Sequence, residues 1–296
     1  EGKNAAYVMV FISQQFIEQL IQEDVPYFDL TTQVLGIGDR MGTIRFTTRA
    51  KTVLACTEES ASILRQTGAE VTTILATGEI LDAGVTFLSA TGNAAALHLA
   101  WKPAQNLLEY ACGVATKTYN LVQLAQTANQ DVMLYTTRKV IPGTKPIAVK
   151  AILAGGAYPH RLGVSETVLI FQQHLNFLGG IEPLIQQLPV IKRQVKEKKV
   201  IVEVKDMATA FNLAASGIDG IQFDKVNAEA LAEAIPQLKS MNPTLITLAA
   251  GGINDANIAN YAATGVDGLV LTAPYYAKPA DIQVEMVCRG GFRDLL

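Results

Sequence analysis

Beyond residue 125 the chain repeats one arrangement: a short, β-prone apolar run, then a stretch with helical spacing. Strands are expected near 132–135, 167–171, 200–204, 220–223, 244–248 and 268–271, and helices fit between them, over 206–215, 228–238 and 255–263. Short strands alternating with helices pair in parallel through right-handed crossovers. The close spacing predicts a closed barrel rather than an open sheet. In such a fold the carboxyl ends of all strands lie on one rim, where ligands bind.

The first half carries a different pattern. An expression remnant is expected within residues 1–7, which are set aside. Ser13 opens a helix with Phe16, Ile17, Leu20 and Ile21 at helical spacing, and Asp24-Val25-Pro26 stops it. Asp29 to Thr32 reads as an extended entry. Strands are then expected at 42–48, 52–56, 70–75, 85–90 and 94–99, with a helix over 58–67, giving a small open sheet with a helix on it. A long helix over 103–125, with Pro103 in its first turn, joins the halves.

Composition narrows what the chain can do. Of its 296 residues 49% are hydrophobic, enough for a large core. A net charge of -3 gives no general attraction to nucleic acid or anionic membrane, so cationic function must be local. No apolar run reaches the ~20 residues of a membrane span. Three widely spaced cysteines, Cys56, Cys112 and Cys288, fit reduced thiols in the cytoplasm better than a disulfide frame.

The expected rim carries a coherent set of groups. The strand ending at Tyr135 runs into Arg138 and Lys139 before the Pro142-Gly143 turn, setting a planar guanidinium beside a mobile ammonium, which suits phosphate esters. Later strands end in Gln172 and His174, Glu203 and Lys205, Asp224, Gly251-Gly252 and Thr272, and Gly155-Gly156 precedes His160-Arg161. A glycine turn before a helix starting near Asn254 would present backbone amides and a positive helix end to a phosphate. Each part also has a plain structural reading: two cations in a surface loop, carboxylates as helix caps, a connecting turn. Their convergence favours a site. His98 reads as a packed strand residue, 192–199 as a solvated face, and Lys205 as a lysine kept charged by Glu203 and Asp206 rather than a Schiff-base amine. Lys102 lies off the rim and would reach a site only if another subunit presented it.

Thr137-Arg138-Lys139 with Pro142-Gly143, Gly155-Gly156 with His160-Arg161, Val168-Leu169-Ile170 with His174, Val202-Glu203-Val204, Asp224 and Ala250-Gly251-Gly252-Ile253 together resemble the nicotinate-nucleotide pyrophosphorylase (quinolinate phosphoribosyltransferase) family, from Asp29 through Asp267. The resemblance implies an α/β fold in two domains. Residues 1–115 would be an N-terminal open α/β sandwich, to which 275–296 returns, and 116–274 an incomplete parallel α/β barrel. It also implies a homodimer with shared active sites, and the use of phosphoribosyl pyrophosphate with magnesium.

Departures from the family are as informative. Trp101-Lys102 stands where quinolinate enzymes carry Glu-Arg, Phe171 where they carry lysine, and Thr272 where they carry glycine, so a pyridine dicarboxylate would be held less well. Trp101-Lys102, the run 106–110, Pro159-His160-Arg161, Ser165-Glu166-Thr167 and the run 273–278 resemble the ModD-type branch, which is associated with molybdenum transport.

On this resemblance the expected reaction moves ribose 5-phosphate from phosphoribosyl pyrophosphate to a nitrogen of a small anionic acceptor. Lys139, Glu203 and Asp224 are the expected catalytic residues. Glu203 and Asp224 would hold ribose hydroxyls or magnesium, Arg138, Lys139, His160 and Arg161 would face the acceptor or phosphate groups, and Gly251 and Gly252 would hold the 5-phosphate. His174, Thr272 and a partner's Lys102 complete the substrate-binding set. Two alternatives are quinolinate phosphoribosyltransferase proper, set back by Phe171 and Lys102, and a non-catalytic phosphate-ligand-binding protein of molybdate handling.

Overall fold

The computed structural model describes residues 9–289; the expected remnant at 1–7 and the end of the chain beyond 289 lie outside the described residues. In chain order the elements are α1 (Gln14–Asp24), α2 (Leu30–Leu35), β1 (Met41–Thr48), β2 (Thr52–Val53), α3 (Thr57–Gln66), β3 (Glu70–Ile74), β4 (Ile80–Leu81), β5 (Thr86–Asn93) and α4 (Ala94–Ala128). There follow β6 (Met133–Thr136), α5 (Lys145–Ala154), β7 (Tyr158–Pro159), β8 (Val168–Ile170), α6 (Gln172–Leu178), α7 (Ile181–Gln194), β9 (Val200–Val204), α8 (Met207–Ala215) and β10 (Gly220–Asp224). The last are α9 (Ala228–Met241), β11 (Ile246–Ala250), α10 (Ile258–Ala262), β12 (Gly268–Leu271) and β13 (Ile282–Cys288). The described residues divide into two compact units, the first holding those up to 119, 141–155 and those from 275 onward, the second 120–140 and 156–274.

In the first unit β13-β1-β5-β3 form an antiparallel sheet, the return of β13 to β1 running from Gly42 opposite Cys288 to Thr48 opposite Ile282. Alternation along β1 turns Ile44 and Phe46 into the core while Met41, Arg45 and their like face water. Helix α3 buries Ala61, Ile63 and Leu64 on one side.

Two local expectations fail here. Residues 94–99 are helix, not strand: Asn93 accepts the amide of Ala96 at 2.9 Å, and the alanine-rich start favours α4, which runs unbroken for 35 residues with Pro103 inside it. His98 is therefore on a helix, and its ring Nδ1 pairs with the Ala94 carbonyl at 2.6 Å. Asp29 to Thr32 is likewise not extended. The Asp29 carboxylate accepts the Thr32 amide and caps α2.

The second unit is a seven-stranded, all-parallel sheet in the order β7-β6-β12-β11-β10-β9-β8. Leu169, Ile201, Leu248, Ala250 and Val270 form its inner core, with Tyr135 and Phe171 packed against them. The sheet curls but stays open, so the closed barrel expected from the spacing is not formed. Its outer strands β7 and β8 are only two and three residues long, and Pro159 in β7 has no amide to extend the ladder. The incomplete barrel that the resemblance implies is the one observed. No described helix is long and apolar enough to cross a membrane.

Candidate active site

The strand ends of the parallel sheet enclose a cavity of about 770 Å³, built wholly from the second unit. In sheet order the rim carries His160 and Arg161 after β7, Arg138 and Lys139 after β6, Thr272 after β12, Gly251 and Gly252 after β11, Asp224 at the end of β10, Glu203 in β9 and Phe171 after β8. Thus Arg138, Lys139, His160, Arg161, Glu203, Asp224, Gly251, Gly252 and Thr272 are brought together from separate runs. Two members of the sequence-derived set are not among the lining residues. His174 is exposed in the first turn of α6, where its Nδ1 accepts the Phe171 amide at 3.0 Å and so caps the helix. Lys102 belongs to α4 in the other unit, lying 4.5 Å over the Trp101 ring and donating to Gln105 Oε1 at 3.2 Å.

The cationic side is graded in depth. Arg138 and Lys139 are exposed, whereas Arg161 is only 8% accessible. Burial, and then the neighbouring Arg138 charge, lower the Arg161 pKa. The guanidinium sits 5.9 Å from the centre of the Phe171 ring. Glu166 helps to shape the following loop by accepting the amides of Leu162 at 2.6 Å and Gly163 at 3.1 Å. His160 is anchored by its own amide donating to the Thr136 carbonyl at 2.9 Å, and burial followed by the Arg161 charge lowers its pKa, favouring neutral imidazole. The Glu166 carboxylate opposes the lowering at Arg161, and a buried guanidinium on the wall of an open cavity can still receive an anion.

Opposite stand the carboxylates. Glu203 lies in register with Gln222 on the adjacent strand, and Gln222 Nε2 donates to Glu203 Oε2 at 2.9 Å. Burial raises the Glu203 pKa; the Gln222 hydrogen bond opposes that rise, and the Asp224 charge adds to it. Lys205 is solvent-exposed and 3.9 Å from the Asp224 carboxylate, unlike the desolvated amine of Schiff-base enzymes. Two consecutive glycines with φ of +84° and +75° take the chain from β11 past Asp224; a Cβ at Gly251 would lie 2.6 Å from Asp224 Oδ1. The helix expected at Asn254 begins later, as the five-residue α10. The amides leading to it are capped by Asn254 and Asn257, so any phosphate contact there rests on the glycine turn rather than on a helix dipole.

Sequence reasoning passed over Gln222, Gln173, Lys225 and Val270, which also line the cavity. For Gln222 a signal existed: it stands two residues before Asp224 in one strand and therefore shares its face. Lys225 and Gln173 follow strand ends and stand on the same rim, whereas Val270 reaches the cavity from within β12.

Comparison with known proteins decides the family. Residues 29–112 match the quinolinate phosphoribosyl transferase N-terminal domain, and residues 114–285 match its C-terminal domain. The chain belongs to the quinolinate phosphoribosyltransferase family. Within it the chain is similar to proteins named as ModD pyrophosphorylases. It is 35% identical over 278 residues to that of Escherichia coli O6:H1, spanning 94% of this chain and 98% of the relative. It is 38% identical to that of Rhodobacter capsulatus, spanning 85% and 96%. A protein of Methanothermobacter thermautotrophicus named as a carboxylating nicotinate-nucleotide pyrophosphorylase is 27% identical over 91% of this chain and 97% of its own length. The nicotinate-nucleotide pyrophosphorylase of Francisella tularensis has the same fold, with a TM-score of 0.84 at 23% identity over 94% of this chain and 98% of that one.

Proposed function

We propose that this protein is a ModD-like pyrophosphorylase, a pentosyltransferase that moves ribose 5-phosphate from phosphoribosyl pyrophosphate to a ring nitrogen of a small anionic acceptor. The observation that carries this is one cavity lined by Arg138, Lys139 and Arg161, with the neutral imidazole of His160 beside them, and by the carboxylates of Glu203 and Asp224. Transfer from such a donor separates charge: pyrophosphate leaves as an anion while the ribosyl carbon becomes cationic. Fixed cations stabilise the first and fixed carboxylates the second.

In this reading Arg161 and Arg138 hold the acceptor's anionic group, and the Phe171 ring beside Arg161 presents an apolar face where a dicarboxylate would want another cation. Lys139, exposed and mobile, follows the leaving pyrophosphate. The Gly251-Gly252 turn receives the 5-phosphate on bare backbone. No side chain acts as a covalent nucleophile; the acceptor nitrogen forms the new bond as the carbon–pyrophosphate bond breaks, and rate comes from alignment and charge.

Magnesium fits this donor set. Glu203 and Asp224 end neighbouring strands in one cavity, and magnesium is commonly held by one or two carboxylates with substrate phosphates and water completing its shell. When bound it would neutralise pyrophosphate charge. Lys102 from a partner subunit and a homodimer with shared sites belong to the same proposal, as do a cytoplasmic location and a place in molybdenum handling.

Titration calorimetry of phosphoribosyl pyrophosphate in the presence of magnesium tests it. Binding heat is expected for the wild-type protein and is lost in Glu203→Ala and Asp224→Ala. No heat with the wild type removes the proposal.

A further inference from the structure

We infer that Gln222 is a positioning residue for this site: it holds one oxygen of Glu203 so that the other faces the cavity. The inference rests on the phosphoribosyl reading for its ligand arm only.

Gln222 sits in the middle of β10, directly opposite Glu203 of β9 and Leu248 of β11, and is 5% accessible. Its neighbours in the strand, Ile221 and Phe223, are fully buried on the other face. An apolar side chain is what this inner layer otherwise calls for, since Leu169, Ile201, Leu248 and Val270 make the core beside it. The amide nonetheless points Nε2 at Glu203 Oε2, 2.9 Å away. Reversing the amide would set its oxygen against the carboxylate, so the charge dictates the orientation. The consequence is visible at the other end: Gln222 Oε1 is buried and has no hydrogen-bond partner among the described residues.

A buried acceptor without a partner is destabilising, and this one stands in the cavity wall beside a carboxylate of the site. Here the return is orientation. A glutamate side chain in a wide cavity has several rotamers open to it, and one fixed oxygen removes most of that freedom. The effect reaches the substrate through Glu203, so Gln222 itself touches no reacting atom.

The test is Gln222→Met, of similar length and without the polar end. Its thermal midpoint is expected to move by no more than roughly 2–4 °C, because removal of the orphaned oxygen is offset by loss of the hydrogen bond to Glu203. Affinity for phosphoribosyl pyrophosphate with magnesium is expected to fall about 10–100-fold, the range seen when hydrogen-bond partners of metal-ligating side chains are removed. A residue with a purely structural role would leave affinity alone, and that result overturns the inference. If the wild-type protein binds no phosphoribosyl pyrophosphate, the proposed function fails separately. Crystal structures of the wild type and Gln222→Met then decide this point: a displaced Glu203 carboxylate upholds it and an unmoved one overturns it.

Discussion

At the scale of single residues, the site depends on backbone that most side chains cannot adopt. Gly251 has a φ of +84°, and an added Cβ would sit 2.6 Å from both Asp224 Oδ1 and Lys225 Cγ. Lys225 Cγ lies close to its own backbone, whose amide nitrogen would be only 3.1 Å from the added Cβ, and the carboxylate belongs to the cavity, so its displacement changes the site. Gly251→Ala is therefore expected to cost about 1–3 kcal/mol in urea unfolding and to weaken phosphoribosyl pyrophosphate binding as well. Gly252, with open space around it, would suffer the backbone strain alone. Residue identity was the most legible layer. Arg138, Lys139, Glu203, Asp224 and the two glycines are recognisable by type and by place after an apolar run. His174 has the same credentials, but its ring nitrogen is engaged by the Phe171 amide in a helix cap.

At the scale of elements, the first unit contains a buried ion cluster that local patterns do not announce. Lys150, on α5 and with its side chain 5% accessible, donates to Glu58 Oε2 at 2.9 Å and to both Glu59 oxygens at 2.8 Å, joining α5 to the first turn of α3. Burial disfavours the Glu58 charge, but the Thr77 hydroxyl and amide and the Lys150 ammonium outweigh it and pull the carboxyl from 4.5 to about 2. A carboxyl whose pKa is depressed on folding contributes stability above its unfolded value and loses it as pH falls through the folded one. Stability should thus decline from near pH 4.5 toward pH 2, followed by urea midpoints across that range. Lys150→Met is expected to lower stability by about 3–5 kcal/mol at pH 7, since it strands Glu59 in a buried position, and to flatten the acid decline. A variant as stable as wild type would show that the cluster is worth no more than an apolar contact.

Element type was legible where one signal dominated. Ser13 does cap α1, accepting the Phe16 amide, and β12 lies at 268–271 as expected. Residues 94–99 misled because Ala, Leu and His in a short run suit a strand and a helix alike; the Asn93 cap decides for the helix. The helices α5, α6 and α7 lie between expected strands, but their bounds were not legible, because glycines and prolines break the pattern and Pro189 lies within α7.

At the scale of the whole molecule, the open edges of the parallel sheet are followed by exposed apolar side chains: Leu162 and Val164 beyond β7, and Phe177 in α6 beyond β8. Exposed side chains of this kind suit burial against another chain. If the homodimer proposed above forms through them, sedimentation equilibrium gives twice the chain mass for the wild type and a lower mass for a Val164→Glu, Phe177→Glu double variant. An unchanged dimer in the variant places the contact elsewhere; a monomeric wild type removes the dimer.

By itself the sequence determined the alternation of strands and helices, hence parallel pairing and a common rim, and it determined which side chains could do phosphate and ribose chemistry. These follow from local physics: apolar periodicity, turn residues, and the charge each residue type carries. Only the tertiary structure decided that the sheet stays open, that Gln222 reaches Glu203, that Arg161 is buried beside Phe171, and that Lys150 lies between two glutamates. Each of those depends on strand order and the curl of a sheet, which bring together residues whose separation along the chain carries no trace of their contact.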